Sequence, residues 1–195
     1  VTYASSVATL YVSGTLIGTN TGAAVTSGLF MGASASTGSS TAFSGYVDDF
    51  RLYNYVLSQS QITALAVLKT TEPVTPAPVI YLPFESNYVD VYGGITLTKG
   101  GASAVAYVNG MYGKAISFSA NTAGSATPVA YLYTTYTFPY AWTVSFWVLT
   151  TNVSASLTTF VTTSSTVINN NVHITFNGSS GLYSAIAGVG SIGPI

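Results

Sequence analysis

Charge is the first thing this sequence has little of. Among its 195 residues only four are Lys or Arg and five are Asp or Glu, 5% of the chain, against roughly a quarter in an ordinary soluble domain. The formal net charge of −1 offers nothing to attract phosphate, so nucleic acid is excluded as a partner. Cysteine is absent, which removes disulfides and thiolate metal sites. Long hydrophobic runs are absent too: nothing approaches the ~18 uninterrupted apolar residues of a membrane-crossing helix, so no membrane span is expected. Apolar residues nevertheless make up 48%, with 15 Tyr, 9 Phe and 19 Gly. That is not the composition of a disordered chain, which combines low hydrophobicity with high net charge. Sheet proteins normally guard their edges with Lys, other charges and Pro. With so few charges, this chain is poorly protected against edge-to-edge association.

What is present is short strands. Residues 1 to 53 read as VTYAS, ATLYVSG, TLIG, GLFMGAS and FSGYVDDFRLYN, separated by Gly, Ser, Thr and Asn clusters. The first residues already read as a hairpin in progress. VLSQSQITALAVL carries the one helical signal, near 58–68, with Ser58 and Gln61 spaced as a capping box and Ile62, Leu65 and Ala66 on one stripe. TTEPVTPAP, residues 70–78, is an extended Pro/Thr linker. Beyond it come VIYLPF, GITLTKG, KAISFSA, YLYTTYTF, WTVSFWVLT, LTTFVTT, NNVHITFNG and LYSAIAG. Strand after strand with turn residues between them predicts an all-β sandwich or jelly roll. The similarity of Tyr107-Val108-Asn109-Gly110 to Tyr11-Val12-Ser13-Gly14 is not a repeat, because the flanking residues disagree.

Enzyme chemistry finds little support. Glycoside hydrolysis needs two carboxylates about the scissile bond, and the only glutamates are Glu72, in the linker, and Glu85. A catalytic triad would rest on the single His173, with no nucleophile elbow; His173 reads as an ordinary strand residue. VYGG and TKGG are turns and lack a P-loop's Lys-Ser pair. In GYVDDFRLY a strand period puts Asp48 on the side of Phe50 and Leu52 and Asp49 with Arg51 and Tyr53. Asp48 then points inward and needs compensation, while Asp49 and Arg51 form a surface pair. Asn152-Val153-Ser154 and Asn177-Gly178-Ser179 match the N-glycosylation acceptor. The aromatics, Trp142, Trp147, Tyr131, Tyr133, Tyr136 and Tyr140 among them, suit either a sugar-stacking face or a core; for Phe146 and Trp147, in a strand apolar on both faces, core is expected.

VTYASSVATLYVSGTLIG with FSGYVDDFRLYNYVLSQSQITAL resembles the C-terminal half of a laminin-G-like (concanavalin A-like) jelly roll. VIYLPFESNYVD, GMYGKAISFS and WTVSFWV resemble the N-terminal half of one. The order is inverted. This implies an antiparallel jelly-roll sandwich, with residues 1–69 finishing one domain, 70–78 linking, and 79–195 beginning a second. Strands near Val1 to Val12 are then expected to pair with strands near Val172 to Ala187 of another copy or, in a longer tandem array, of a neighbouring unit; the alternative is a circularly permuted domain that folds alone. The resemblance further implies calcium held by Asp48 and Asp90, with no other cofactor, catalytic residue or assigned ligand site. The expected function is a non-enzymatic structural subunit, assembling with itself head to tail into an extracellular or cell-surface fibre. The alternative is a carbohydrate-binding or adhesion module of a larger secreted or viral surface protein, with glycans as partners.

Overall fold

A computed structural model describes residues 1–22, 27–32, 43–67, 77–102, 104–119, 130–150, 158–162, 172–177, 181–186 and 190–192. In chain order the strands are β1 (Thr2–Ala4), β2 (Val7–Val12), β3 (Thr15–Thr21), β4 (Ser27–Met31) and β5 (Gly45–Tyr53). Helix α1 (Gln59–Ala66) follows, then β6 (Ile80–Leu82), β7 (Thr98–Gly100), β8 (Ala106–Asn109), β9 (Lys114–Phe118) and β10 (Tyr131–Thr137). The chain continues through β11 (Ala141–Thr150), β12 (Thr158–Thr162), β13 (Val172–Asn177), β14 (Gly181–Ile186) and β15 (Gly190–Ile192). Every pairing among them is antiparallel. One sheet has the order β3-β2-β1-β11-β5-β9-β8, with β6 also on β5; the other runs β15-β14-β13-β12-β4-β10-β7. This is the expected all-β sandwich, with one short helix among the described residues.

The sheets correct the expected division into two jelly rolls. In the first sheet β11 from the second segment lies between β1 and β5 from the first. In the other sheet β4 of the first segment lies between β12 and β10 of the second. The β5–β11 register runs from Tyr53↔Thr143 to Gly45↔Thr150. Segments 1–69 and 79–195 are thus complementary parts of one sandwich within one chain. The physical reason is that each segment alone leaves its central strands without neighbours, and the nearest complementary edges are on the same chain. The expected pairing of Val1–Val12 with Val172–Ala187 is likewise replaced: β1 pairs with β2 and β11, whereas β13 and β14 belong to the opposite sheet.

One core lies between the sheets. Val47, Phe50 and Leu52 of β5 and Trp142 and Val144 of β11 meet Leu29 and Met31 of β4, Leu132 of β10, and Val172 and Ile174 of β13. Tyr3 stacks on Trp142 with centroids 5.4 Å apart, and Phe138 lies 5.3 Å from the same indole. Phe50 and Phe146 stack at 6.3 Å. Phe146 packs against this core as expected, from a half-buried position.

A second, smaller cluster of Tyr53, Leu57 and Ile62, with Tyr11, Tyr55 and Leu65, lies beneath α1. The capping box forms as expected: Gln61 N–H donates to Ser58 Oγ at 3.3 Å and Ser58 N–H donates to Gln61 Oε1 at 2.8 Å. Gln59 Nε2 donates to the Gly14 carbonyl at 2.7 Å, tying the helix to the β2–β3 turn. That turn is two residues, Ser13 and Gly14, both at positive φ (48° and 80°), the hairpin geometry that matches strand twist. A Cβ on Gly14 would sit 3.2 Å from α1, so glycine also permits the close approach. Of the linker 70–78, residues 70–76 lie outside the described residues. After it, Val79 N–H donates to the Leu52 carbonyl at 2.7 Å.

Trp142 is 1% exposed and Tyr140 is 98% exposed. Replacing Trp142 by Ala should cost about 3–5 kcal/mol through lost burial and a cavity. Tyr140→Ala should stay within about 0.5 kcal/mol of the parent. Urea unfolding with an unchanged m-value checks both.

Candidate functional site

The charged residues that a strand period was expected to sort are rearranged by a bulge. Between Arg51↔Ser145 and Asp48↔Trp147 two β5 residues, Asp49 and Phe50, oppose one on β11. Asp49 takes φ 54°, a left-handed conformation that Asp tolerates better than most residues. The inserted residue shifts the alternation: Val47 on one side of it and Phe50 and Leu52 on the other all reach the core. Asp48, next to Val47, therefore turns away from the core, contrary to the regular-strand expectation.

Asp48 is still buried, 4% exposed, because the turn between β8 and β9 covers it. Its Oδ2 accepts from the Tyr112 N–H at 2.8 Å. Gly110 is required there, since a Cβ would come within 2.5 Å of the same oxygen. Burial pushes the Asp48 carboxyl up to about 6, with the Tyr112 N–H partly opposing the shift. Glu85 grips the same turn from the other side, both its oxygens accepting from the Lys114 N–H at 3.1 Å. Gly113, at φ 55°, leaves the room.

Asp90 does something different. It is 2% exposed, accepts from the Tyr81 N–H at 2.7 Å and the Gly94 N–H at 3.1 Å, and so closes its own turn onto β6. The two candidate calcium ligands thus serve separate turns. No group of three or more His, Cys, Asp or Glu placed to hold a metal occurs among the described residues.

Asp49 and Arg51 are a pair, as expected, but a buried one. Arg51 Nη2 and Nε donate to Asp49 Oδ1 at 2.8 and 3.1 Å, and the side chains are 6% and 9% exposed. The guanidinium also lies 4.8 Å above the Tyr81 ring. Burial works against the Arg51 charge, yet the Asp49 hydrogen bond and charge outweigh it and raise its pKa. A surface pair would contribute about 0.2–1 kcal/mol; here loss of one partner strands a buried charge.

Of the remaining candidates, His173 lies in β13 opposite Thr162 and Ala185, and Asn177 is the last residue of β13, opposite Gly181. Asn152 and Glu72 lie outside the described residues. Trp142 is core. Trp147 is half-buried, edge-on to Tyr112 at 6.4 Å. Tyr131, Tyr133 and Phe30 form a run of ring contacts at 5.6 and 5.8 Å. Tyr136 packs against the core edge.

The residues that sequence reasoning missed line a groove of about 280 Å³ between β2, β11 and α1. Leu10, Tyr11 and Val12 form one wall, Ser145 to Val148 the other, and Ile62, Leu65 and Ala66 the roof. None of its lining side chains is charged. A strand pattern alone cannot signal such a groove, because its walls come from elements far apart in sequence.

One comparison bears on the first segment of this sandwich. Residues 1–63 match the laminin-G-type family model of the concanavalin A-like lectin/glucanases superfamily. The match spans β1 to β5 and most of α1, so the laminin-G-like segment includes the bulge, the buried ion pair and one wall of the groove. Comparison with curated proteins gives no match, and neither does comparison with solved structures.

Two outcomes follow. Asp49→Ala should cost about 3–5 kcal/mol in urea unfolding, because it leaves Arg51 buried without its carboxylate. For Asp48 the sign is set by a folded-state pKa raised from 3.8 to about 6. The folded protein holds this proton to higher pH than the unfolded chain, so the group's contribution to stability falls as pH rises from about 4 to about 6. Asp48→Asn should flatten that part of a stability–pH profile; an unchanged slope would show that Asp48 does not carry it.

Proposed function

We propose that this chain is a non-enzymatic structural module of the cell exterior that associates with itself, edge to edge, into a fibre or surface appendage. The observation that supports the reading is the chemistry of the sheet edges. Among the described residues the outermost strands are β3 and β8 in one sheet and β15 and β7 in the other. Their sequences are TLIGTNT, AYVN, GSI and TKG, so Lys99 is the one charge among them. Uncharged edges are templates for further strands, and a heterologous contact that does not close propagates into a fibre. Completion of half-domains by neighbouring copies is not part of this reading, because the two segments already pair within one chain. An extracellular setting accords with the laminin-G-like match, and no helix among the described residues is long and apolar enough to cross a membrane.

A second reading has its own support. A concanavalin A-like match fits a lectin or adhesion-type module, and Tyr92 and Tyr140 present exposed rings suited to stacking on sugar. In that reading glycans are the partners. Neither reading uses a cofactor or a catalytic residue: Glu85 accepts from the Lys114 N–H, Asp90 from two backbone N–H groups, and Asp48 through its Oδ2 from the Tyr112 N–H. We therefore expect a chelator to leave the melting temperature unchanged; a fall on chelation, abolished in Asp48→Asn, would establish the calcium site.

The readings separate in solution. Self-association predicts sedimentation coefficients that rise with concentration and filaments in electron micrographs. Leu16→Lys, at a 53% exposed position on edge strand β3, should reduce both. A monomer at all concentrations that binds a glycan array would overturn the fibre reading in favour of the lectin one.

A further inference from the structure

On one side of the sandwich β7 is the outermost described strand of one sheet and β8 that of the other. Lys99 of β7 lies opposite Leu132, and Tyr107 of β8 lies opposite Ile116. Leu132 and Ile116 are fully buried, and directly opposed residues of an antiparallel pair share a face. Lys99 and Tyr107 therefore both point inward, toward the space between the sheets. There they meet Tyr88 and Val105, which pack against the core, and the loop from Ser86 to Val89. With Ala104 these residues line a hollow of about 390 Å³, within the range of small-molecule sites, about 300–1,000 Å³.

The polar groups of this hollow are few and mostly donors. Asn87 Oδ1 accepts from the Val89 N–H at 3.1 Å, and with that oxygen engaged the amide presents its Nδ2 donors. Lys99 is a donor only; its Nζ donates to the Gly101 carbonyl at 3.2 Å, which holds it at the end of β7. Burial and the neighbouring Tyr88 push the Tyr107 phenol up, so the two phenols share one sheltered corner. No carboxylate is among the described lining residues, so no side chain there is built to accept from several sugar hydroxyls. Small apolar groups, Val89, Ala104 and Val105, fill the spaces between. A fitting ligand combines an apolar ring face, a carbonyl acceptor and a methyl-sized apolar group. A pyranose presents C–H faces that stack on aromatic rings, and an acetamido substituent supplies the other two.

We infer that this hollow binds an N-acetylhexosamine unit of a glycan. The sugar ring lies against Tyr88 and Tyr107, the acetamido carbonyl accepts from Asn87 Nδ2, and the methyl sits among Val89, Ala104 and Val105. The inference rests on the lectin-type reading above, to which it adds a place and a class of sugar; it does not depend on self-association. Because the ligand is uncharged, its binding is insensitive to salt.

Saturation-transfer NMR on the full chain tests it with two disaccharides, N,N′-diacetylchitobiose and cellobiose, which differ only in the acetamido groups. An acetyl methyl of the first should take up the most saturation, and cellobiose should bind about tenfold more weakly. Asn87→Asp keeps an oxygen for the Val89 N–H and removes the amide donors. It should weaken N,N′-diacetylchitobiose binding by about the same factor at an unchanged melting temperature. Ala104→Tyr, at an exposed position, fills the hollow and should abolish binding. Equal binding of the two disaccharides, or undiminished binding by both variants, would overturn the inference. Binding to a glycan array without binding of N,N′-diacetylchitobiose would overturn it and leave the lectin reading standing. A chain that binds no glycan would overturn both.

Discussion

The β5–β11 ladder is the contact on which the rest of the fold depends. It joins a strand from the first segment to one from the second along the centre of one sheet. Each strand brings its own dependants: β9 and β6 hang on the far side of β5, and β1 with the β2–β3 hairpin on the far side of β11. Phe50 and Leu52 on one strand and Trp142 and Val144 on the other then form one wall of the core. Because the partners are distant in sequence, this ladder carries the loop-closure entropy that separates a slow all-β topology from a local hairpin.

The bulge within that ladder converts a structural contact into a set of buried electrostatic ones. One residue in the left-handed region, Asp49, keeps Val47, Phe50 and Leu52 on the core side and sends Asp48 to the opposite face. There Asp48 anchors the β8–β9 turn and Asp49 holds Arg51 over Tyr81. In a chain with so few charges, the described carboxylates are committed mainly to backbone N–H groups and to Arg51. Solubility is left to hydroxyls and amides, and the sheet edges are left undefended.

Much of the architecture was legible in the sequence. Alternating runs between turn residues gave the sandwich, and Ser58 with Gln61 gave the start of α1. The laminin-G-like character of residues 1–63 could be read from the LYVSG and DDFRLYN motifs. What was not legible shares one physical cause: partner choice over long separations. Inverted order made Tyr3 and Trp142 look like parts of two domains, whereas they stack in one core. Strict alternation through GYVDDFRLY misplaced Asp48, because no residue in that stretch announces a bulge. Asp49 and Arg51 were paired correctly, but nothing local revealed the burial that changes what the pair contributes. The groove was invisible because the elements that wall it, β2, β11 and α1, are far apart in sequence.

The central claim, that segments 1–69 and 79–195 complete one sandwich within a single chain, is tested most directly by a cross-strand disulfide. Tyr46 and Leu149 are register partners across β5 and β11, where Cα separations of about 5.5 Å or less suit an S–S bond. The native chain has no cysteine, so Tyr46→Cys with Leu149→Cys provides the only thiols. Oxidised at high dilution and run on a denaturing, non-reducing gel, the double variant should migrate as a cross-linked monomer. A ladder of disulfide-linked dimers and higher species would contradict the account, because it would mean that β5 and β11 meet between chains.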